Sequence, residues 1–409
     1  MTVRSDYSAQ LVFTDPPTVE PEELEFATHS VMRRFRPLTP ILKRKDGVHI
    51  VIRAADIEQL GTDPRTRHLE TELARTRGVN DGPLFDFFSQ SMLLSNGQDH
   101  RRRRAPMARA FGMKLITELR SRIRAIADDL IDRVQAHGEM SFMQDFAGLM
   151  SARVISELLG MPEADIPEFT HDVYTLAPAL SSSFSREDVP QLQSAAAKLT
   201  RYAEGLLGER RVEPRNDFLT SYIGELGQSG TLTPLETVIQ VVTVILAASE
   251  TTRSAMTLQT SLLLEHREQW EAVCGNADLI PGAVLESLRY EPAVGSFARF
   301  TLEDIELDGH LLPRNAVISL SVLSAMRDPA LYSDPERFDI TRSDHPRRHL
   351  VFGAGSHRCL GEILARAELE AGLAALTSRL PQLQLVGDPA VAQGSGGIRK
   401  VKGMQVRWS

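Results

Sequence analysis

The sequence predicts a mainly α-helical fold with a minor β portion, carried by a single large domain over residues 1–409. Three observations predict it. Helical signals dominate, and one of them marks a helix long enough to cross the whole protein. Strand signals are few, short and interleaved with the helical stretches. No linker, low-complexity tract or repeat of fixed period divides the chain, which favours one α-rich core over separate modules. A β-containing portion is expected over roughly residues 1–65 and a helical core over roughly 66–409.

The long helix is the stretch "TPLETVIQVVTVILAASETTRSAMTLQTSLLLEH". Thr233 is placed as an N-cap, Pro234 as the first helical residue, and Glu236 closes a capping box. Neither Pro nor Gly follows until Gly275, so the helix can run about thirty residues, on the order of 45 Å. Its first half is apolar nearly all round and must pass through the protein's centre. Among the strand signals, "ILKRKDGVHIVIR" reads as a hairpin turning at Asp46-Gly47. "FARFTLEDIELDGHLLPRNAVISLSV" alternates and turns at Asp308-Gly309, and "AQGSGGIRKVKGMQVRW" closes the chain in β structure.

At 42% hydrophobic and 24% charged, the composition is that of an ordinary soluble protein. A net charge of -8 argues against nucleic acid as a partner, since phosphate binding needs a clustered positive surface. The run "DHRRRR", Asp99 to Arg104, is a local exception, and such runs are usually solvated helix faces. Two distant cysteines, Cys274 and Cys359, make no disulfide framework and fit a reducing compartment. The N-terminus "MTVRSDYSAQLVF" has neither a signal-peptide core nor a membrane anchor, and "VIQVVTVILAA" falls short of the roughly 20 apolar residues a bilayer span needs. These readings predict a cytoplasmic protein with no membrane partner.

Cys359 lies in "RHLVFGAGSHRCLGEILARAELE", residues 348–370. As a soft ligand it suits zinc, and His345, His349 and His357 are near, but the spacing is poor and only one cysteine is on offer. Iron–sulfur clusters want about four thiolates and fail likewise. A haem iron needs a single axial thiolate. Gly353 and Gly355 let the backbone turn and aim amide N–H groups at the sulfur, and Gly361 leaves room for a flat macrocycle. Ile363, Leu364 and Ala367 recur at helical spacing, so the cysteine sits near a helix N-terminus, where negative charge is favoured. The bland alternative is a buried structural cysteine.

The pattern F-x-x-G-x-H-x-C-x-G, here Phe352, Gly355, His357, Cys359 and Gly361, resembles the haem-binding loop of the cytochrome P450 family. The resemblance implies the P450 fold, with the long helix over haem b, Cys359 as the iron ligand, and Phe352, His357 and Gly361 against the cofactor. Further stretches resemble the family in order. "LESLRYEP" supplies the pair Glu286 and Arg289, which interlocks with an arginine of "PERF", read as Arg337. "AASETT" is similar to the oxygen-activation segment, in which an acid and a threonine sit on a locally opened helix turn. That likeness makes Glu250 and Thr251 the proton-delivering pair. The alternative is a threonine bonded back to its own helix and a solvated glutamate. The family usually has Gly at Ala248, where it makes a groove for oxygen; the methyl here either crowds that groove or shifts the substrate.

"GQDHRRRRAPMARAFG" resembles the helix that crosses the haem. His100 and Arg104, with Arg299 of "FARF" and His357, match positions that bind the haem propionates. Arg101, Arg102, Arg103 and Arg109 would then colour the thiolate side positive and steer an acidic electron carrier. No flavin or ferredoxin module is expected in this chain, so electrons come from a ferredoxin or flavodoxin fed by an NAD(P)H-dependent reductase.

The implied reaction is monooxygenation, one atom of O₂ entering a C–H bond of a small, mostly apolar organic substrate. Candidate pocket walls are Phe85, Phe88, Met92, Val244, Ala247, Ala248, Val294, Phe297 and Ile398, with residues 175–185 as a lid region and Arg399 as a possible grip on a carboxylate. Two alternatives stay open: a tailoring enzyme that couples, epoxidises or dehydrates a natural-product intermediate, and a haem-thiolate sensor or carrier without turnover.

Overall fold

The computed structural model describes residues 14–180, 184–229 and 232–408. The expectations for residues 1–13 and for 181–183 of the lid region lie outside the described residues.

Local sequence signals act where they were expected. The Thr233 hydroxyl accepts from the Glu236 N–H at 3.2 Å, and the Glu236 carboxylate accepts from the Thr233 N–H at 2.9 Å. The helix they open, Pro234–Glu265, is 32 residues long and ends where His266 leaves helical geometry; a separate helix, Arg267–Gly275, follows. Every residue from Glu236 to Leu246 is buried. This is the one helix among the described residues long and apolar enough to cross a membrane, and its most apolar window is 72% buried. It packs against the helices Gly82–Gln90, Gly148–Leu159, Val189–Val212, Ile280–Tyr290 and Glu362–Arg379, which is why no polar face is needed along its first half.

The β structure forms four sheets among the described residues. A six-stranded sheet takes Thr18–Val19, Ile41–Arg44, His49–Val51, Val317–Ser321, Ser296–Thr301 and Thr66–His68 in that spatial order. Two of those strands come from the second half of the chain, so the β portion extends well past the first 65 residues. The expected hairpin turns at Gly47 (φ 96°), and Ile305–Leu307 pairs with His310–Leu312 through Asp308 (φ 46°) and Gly309 (φ 76°). Near the C-terminus Val391–Gln393 pairs with Lys400–Lys402, while Gln405–Arg407 lies between Gln384–Val386 and Glu139–Ser141. The larger of two buried apolar clusters runs through side chains from Ile41 to Val406, and the smaller gathers Val19, Leu24, Val31, Met32, Leu42, Ile50 and Ile52.

Glu286 and Arg289, one helix turn apart, are fully buried and joined by two hydrogen bonds of 2.6 and 2.8 Å. The third arginine is Arg342, whose Nε lies 3.3 Å from Glu286, and not Arg337. Arg337 lends only its carbonyl to Arg289; its own side chain is 67% exposed and faces Asp339. A buried carboxylate needs a countercharge that is itself inside, and Arg342 is the side chain the turn after "PERF" delivers there.

Candidate active site

Cys359 stands between a tight loop and the helix Glu362–Arg379. The loop can close only with glycine at two places. Gly353 (φ 79°) and Gly355 (φ 64°) adopt left-handed backbone, and a Cβ on Gly355 would come within 3.0 Å of Thr62 and 3.2 Å of the Gly61 carbonyl. The Cys359 N–H donates to the Phe352 carbonyl at 2.7 Å, turning the chain back on itself. The backbone donor to the sulfur is the Gly361 N–H; Gly353 and Gly355 shape the loop but do not supply it. Beside Gly361 a Cβ would meet no atom within 4 Å, so that position leaves the flat clearance a macrocycle needs.

The Cys359 side chain is accessible to solvent but ringed by protein, and this desolvation pushes its thiol up. Glu362 pushes the same way, against the Gly361 amide, Arg104 and Arg358. A thiol so placed ionises readily only when a metal cation shares its charge.

Next to this loop stands a group of donors with no acid among them. His100 and Arg104 lie four apart on the helix Gly97–Ala110, Arg299 on the strand Ser296–Thr301, and His357 on the loop. The His100 and His357 rings stack at 3.8 Å, 22° from parallel. On its other contact, His357 meets His68, also at 3.8 Å. Burial, reinforced by neighbouring cationic groups, drives His68 to about 3 and His100 to about 4, and lowers His357 further still. Burial alone takes Arg299 to about 10. Nε2 of His68, Nε2 of His100 and Nε of Arg299 are buried without partners. A set of buried donors that repel one another and lack acceptors fits an anionic ligand, as the two carboxylates of haem b would be.

Glu250 and Thr251 sit on the long helix, which stays regular through Ala247–Thr252. The locally opened turn that the resemblance implied is not there: the Thr251 hydroxyl donates to the Ala247 carbonyl at 2.7 Å, which satisfies that carbonyl while the helix continues. Glu250 is not a solvated carboxylate. It is 13% exposed, pairs with Arg253 and accepts from Ser254 at 3.4 Å, while Arg253 lies over the Tyr174 ring at 3.8 Å.

Of the expected pocket walls, Phe88, Met92 and Val244 are buried, and Phe85, Ala248 and Phe297 pack against the core from its edge. Ala247 is half-buried on the long helix. Val294 and Ile398 bridge each other, bringing two distant loops together. The Met92 N–H donates to Gln240 Oε1 at 2.7 Å, which pins its segment to the long helix one turn before Val244. Arg399 is not free to hold a substrate: its guanidinium is taken by Glu291 and the carbonyls of Pro292, Ala392 and Gly394.

The basic run also differs from expectation. Arg102 and Arg103 both bind Glu236, Arg103 is itself buried, and Arg109 pairs with Glu225; Arg101 remains exposed. Against the upward push of burial, hydrogen bonds from Arg102, the Thr233 amide and Arg103 hold Glu236 down to about 2. Three of the four arginines therefore lock the helix Gly97–Ala110 to its neighbours, Arg102 and Arg103 to the capping-box residue of the long helix and Arg109 to the helix Phe218–Ser229. They add little positive surface. Sequence reasoning missed His68, Arg342 and the buried acid Glu368; nothing local to "RTRHLE" separates His68 from a surface histidine, since only strand pairing brings it to Arg299.

A lone cysteine in a glycine loop, an acid-free basic cluster beside it and a long helix bearing an acid and an alcohol are what a haem-binding oxidoreductase would need. Comparison with known proteins agrees. The family model described as Cytochrome P450 matches residues 76–381. The plant-inducible cytochrome P450-pinF1 of Rhizobium radiobacter is 42% identical over 395 residues, covering 97% of this chain and 93% of the relative. The polyketide biosynthesis cytochrome P450 PksS of Bacillus subtilis is 31% identical over 379 residues, covering 90% and 92%. Among solved structures, P450BioI in complex with a fatty-acyl-ligated acyl carrier protein aligns with a TM-score of 0.85 at 28% identity, over 95% of this chain and all of that one. CalO2 aligns with a TM-score of 0.86 at 30% identity, over 94% and 96%. The chain belongs to the cytochrome P450 family, whose members are haem b oxidoreductases.

Proposed function

We propose that this protein inserts one atom of O₂ into a C–H bond of a mostly apolar small molecule, in the cytoplasm, using electrons from a separate ferredoxin or flavodoxin and its NAD(P)H-dependent reductase. The observation that carries this reading is the acid-free cluster of His100, Arg104, Arg299 and His357 beside the Cys359 loop, in which Nε2 of His100 and Nε of Arg299 are buried without an acceptor that the fold itself supplies. Held by the Cys359 sulfur, haem b would supply the chemistry that activates oxygen.

The chain's own residues have three tasks. His100, Arg104, Arg299 and His357 bind and orient the cofactor's carboxylates. Thr251 would hold a proton at its hydroxyl, once turned from the Ala247 carbonyl it donates to, and Glu250 would pass protons inward, with Arg253 and Ser254 setting the carboxylate's position. Phe85, Phe88, Met92, Val244, Ala247, Ala248, Val294, Phe297 and Ile398 exclude water and fit an apolar substrate. A relative named for polyketide biosynthesis, and a neighbour in complex with myristic acid, support a substrate with a long or bulky hydrocarbon part. The cluster spanning Ile41 to Val406 supports reading the chain as one domain.

A second reading, oxidative coupling within a natural product, is supported by a neighbour described as a C–S bond-forming P450. The reduced, carbon monoxide-treated spectrum of purified protein tests the thiolate, and Cys359→Ser is expected to abolish that signature. Product analysis under ¹⁸O₂ separates the two readings, since insertion labels the product and coupling does not.

A further inference from the structure

We infer that His68 is an additional haem-binding residue, donating from Nε2 to a carboxylate of the cofactor alongside His100, Arg299 and His357. The inference rests on the reading above, that this cluster holds the haem propionates.

Three independent features place His68 in that group. Its ring lies 3.8 Å from the His357 ring and His100 lies 3.8 Å from the same ring, so three imidazoles converge where the basic cluster is densest. In the antiparallel pairing of Thr66–His68 with Ser296–Thr301, His68 stands directly opposite Arg299. Nε2 of His68, like Nε2 of His100 and Nε of Arg299, is buried with no partner, whereas the terminal nitrogen of Arg299 reaches the Gly61 carbonyl and Arg104 reaches the Arg358 carbonyl.

The backbone holding His68 is fixed to the same helix that carries His100 and Arg104. Asn96 Oδ1 accepts from the His68 N–H at 2.8 Å, and Asn96 Nδ2 donates to the His68 carbonyl at 3.0 Å. Asn96 immediately precedes the helix Gly97–Ala110. One side chain thus sets the strand and the helix in register, and with them the imidazoles of His68 and His100. The neighbouring Arg67 faces elsewhere, over the Phe300 ring and paired with Glu72, so His68 is the residue of its strand end that turns to the cluster.

The test uses ferric holoenzyme mixed with excess apomyoglobin as haem acceptor, with the transfer rate followed at the Soret band. His68→Leu is expected to release haem about tenfold faster than the parent, the scale of one lost hydrogen bond to a charged group. His68→Gln, which keeps a donor, is expected to stay within about threefold. Both are expected to retain the thiolate signature with carbon monoxide. Loss of the donor also leaves the carboxylate more negative, so the ferric–ferrous midpoint of His68→Leu should fall; this reading does not depend on how well the variant expresses. Release and midpoint both unchanged in His68→Leu, with release accelerated in His100→Leu, would overturn the inference and leave the cluster's role intact. If His100→Leu is unchanged as well, the propionate reading itself fails.

Discussion

Replacing Arg342 with methionine is expected to destabilise the fold by about 1.5–3 kcal/mol, while the same change at Arg337 should cost less than about 0.5 kcal/mol. The difference follows from what each side chain touches. Glu286 is wholly buried and accepts from Arg289 Nε at 2.6 Å, Arg289 Nη2 at 2.8 Å and the Asp339 N–H at 2.8 Å, with Arg342 Nε at 3.3 Å. Losing Arg342 removes one charged neighbour and leaves three hydrogen bonds, so the carboxylate stays partnered. Losing Arg289 strips two of them and strands a buried charge, for which about 3–5 kcal/mol is expected. Arg337 is 67% exposed and its ion pair with Asp339, at 3.5 Å, is of the solvated kind that contributes little. The assay is guanidinium unfolding of the holoprotein, followed by circular dichroism and the Soret band together so that a departure from two-state behaviour is visible. A midpoint for Arg337→Met shifted as far as that of Arg342→Met would refute the reasoning.

Glu368 is buried with both carboxylate oxygens unpartnered, and burial raises it well above 4.5. The folded state therefore keeps its proton where the unfolded chain has lost it: this stability is whole below about pH 4.5 and is lost as pH rises toward the folded value. Glu368→Gln should flatten that slope in denaturation midpoints taken across the pH range; an unchanged slope would count against a neutral Glu368. Thr251→Ala is expected to consume NAD(P)H while forming at least about tenfold less product per electron pair, read as coupling efficiency, and full coupling would remove Thr251 from proton delivery. Arg101→Glu should slow reduction by the carrier protein at low salt, with the difference shrinking as ionic strength rises. Arg103→Glu, which sets a second acid against buried Glu236, should instead lower the melting temperature; equal, salt-dependent slowing by both changes would place Arg103 at the surface after all.

How much was legible in the chain depended on the range of the interactions involved. The capping box at Thr233–Glu236, the turns at Asp46-Gly47 and Asp308-Gly309, and the loop from Phe352 to Gly361 are set by residues within about ten positions of one another, and they fold as read. Two local expectations fail, the opened turn at Ala247–Thr252 and the Gly353 and Gly355 amides at the sulfur, and the other errors are long-range. Arg337 and Arg342 are equivalent by composition, and only the packing of the turn after Pro335 decides which guanidinium goes inside. The arginine run looks like a solvated face until Glu236, some 130 residues away, is brought against it. Arg399 looks available until Glu291 is placed beside it.

By itself, then, the sequence determined the helical class, the long central helix, the cysteine loop and the identities of the chemical groups, because backbone conformation and thiolate chemistry are properties of a few consecutive residues. Tertiary structure alone decided which charges are paired and which buried donors are left without acceptors, because a charge's free energy depends on the solvent it loses and the partner it meets across the fold. His68 shows the division: an ordinary histidine in the chain, it becomes part of a donor cluster only when a strand sets it opposite Arg299.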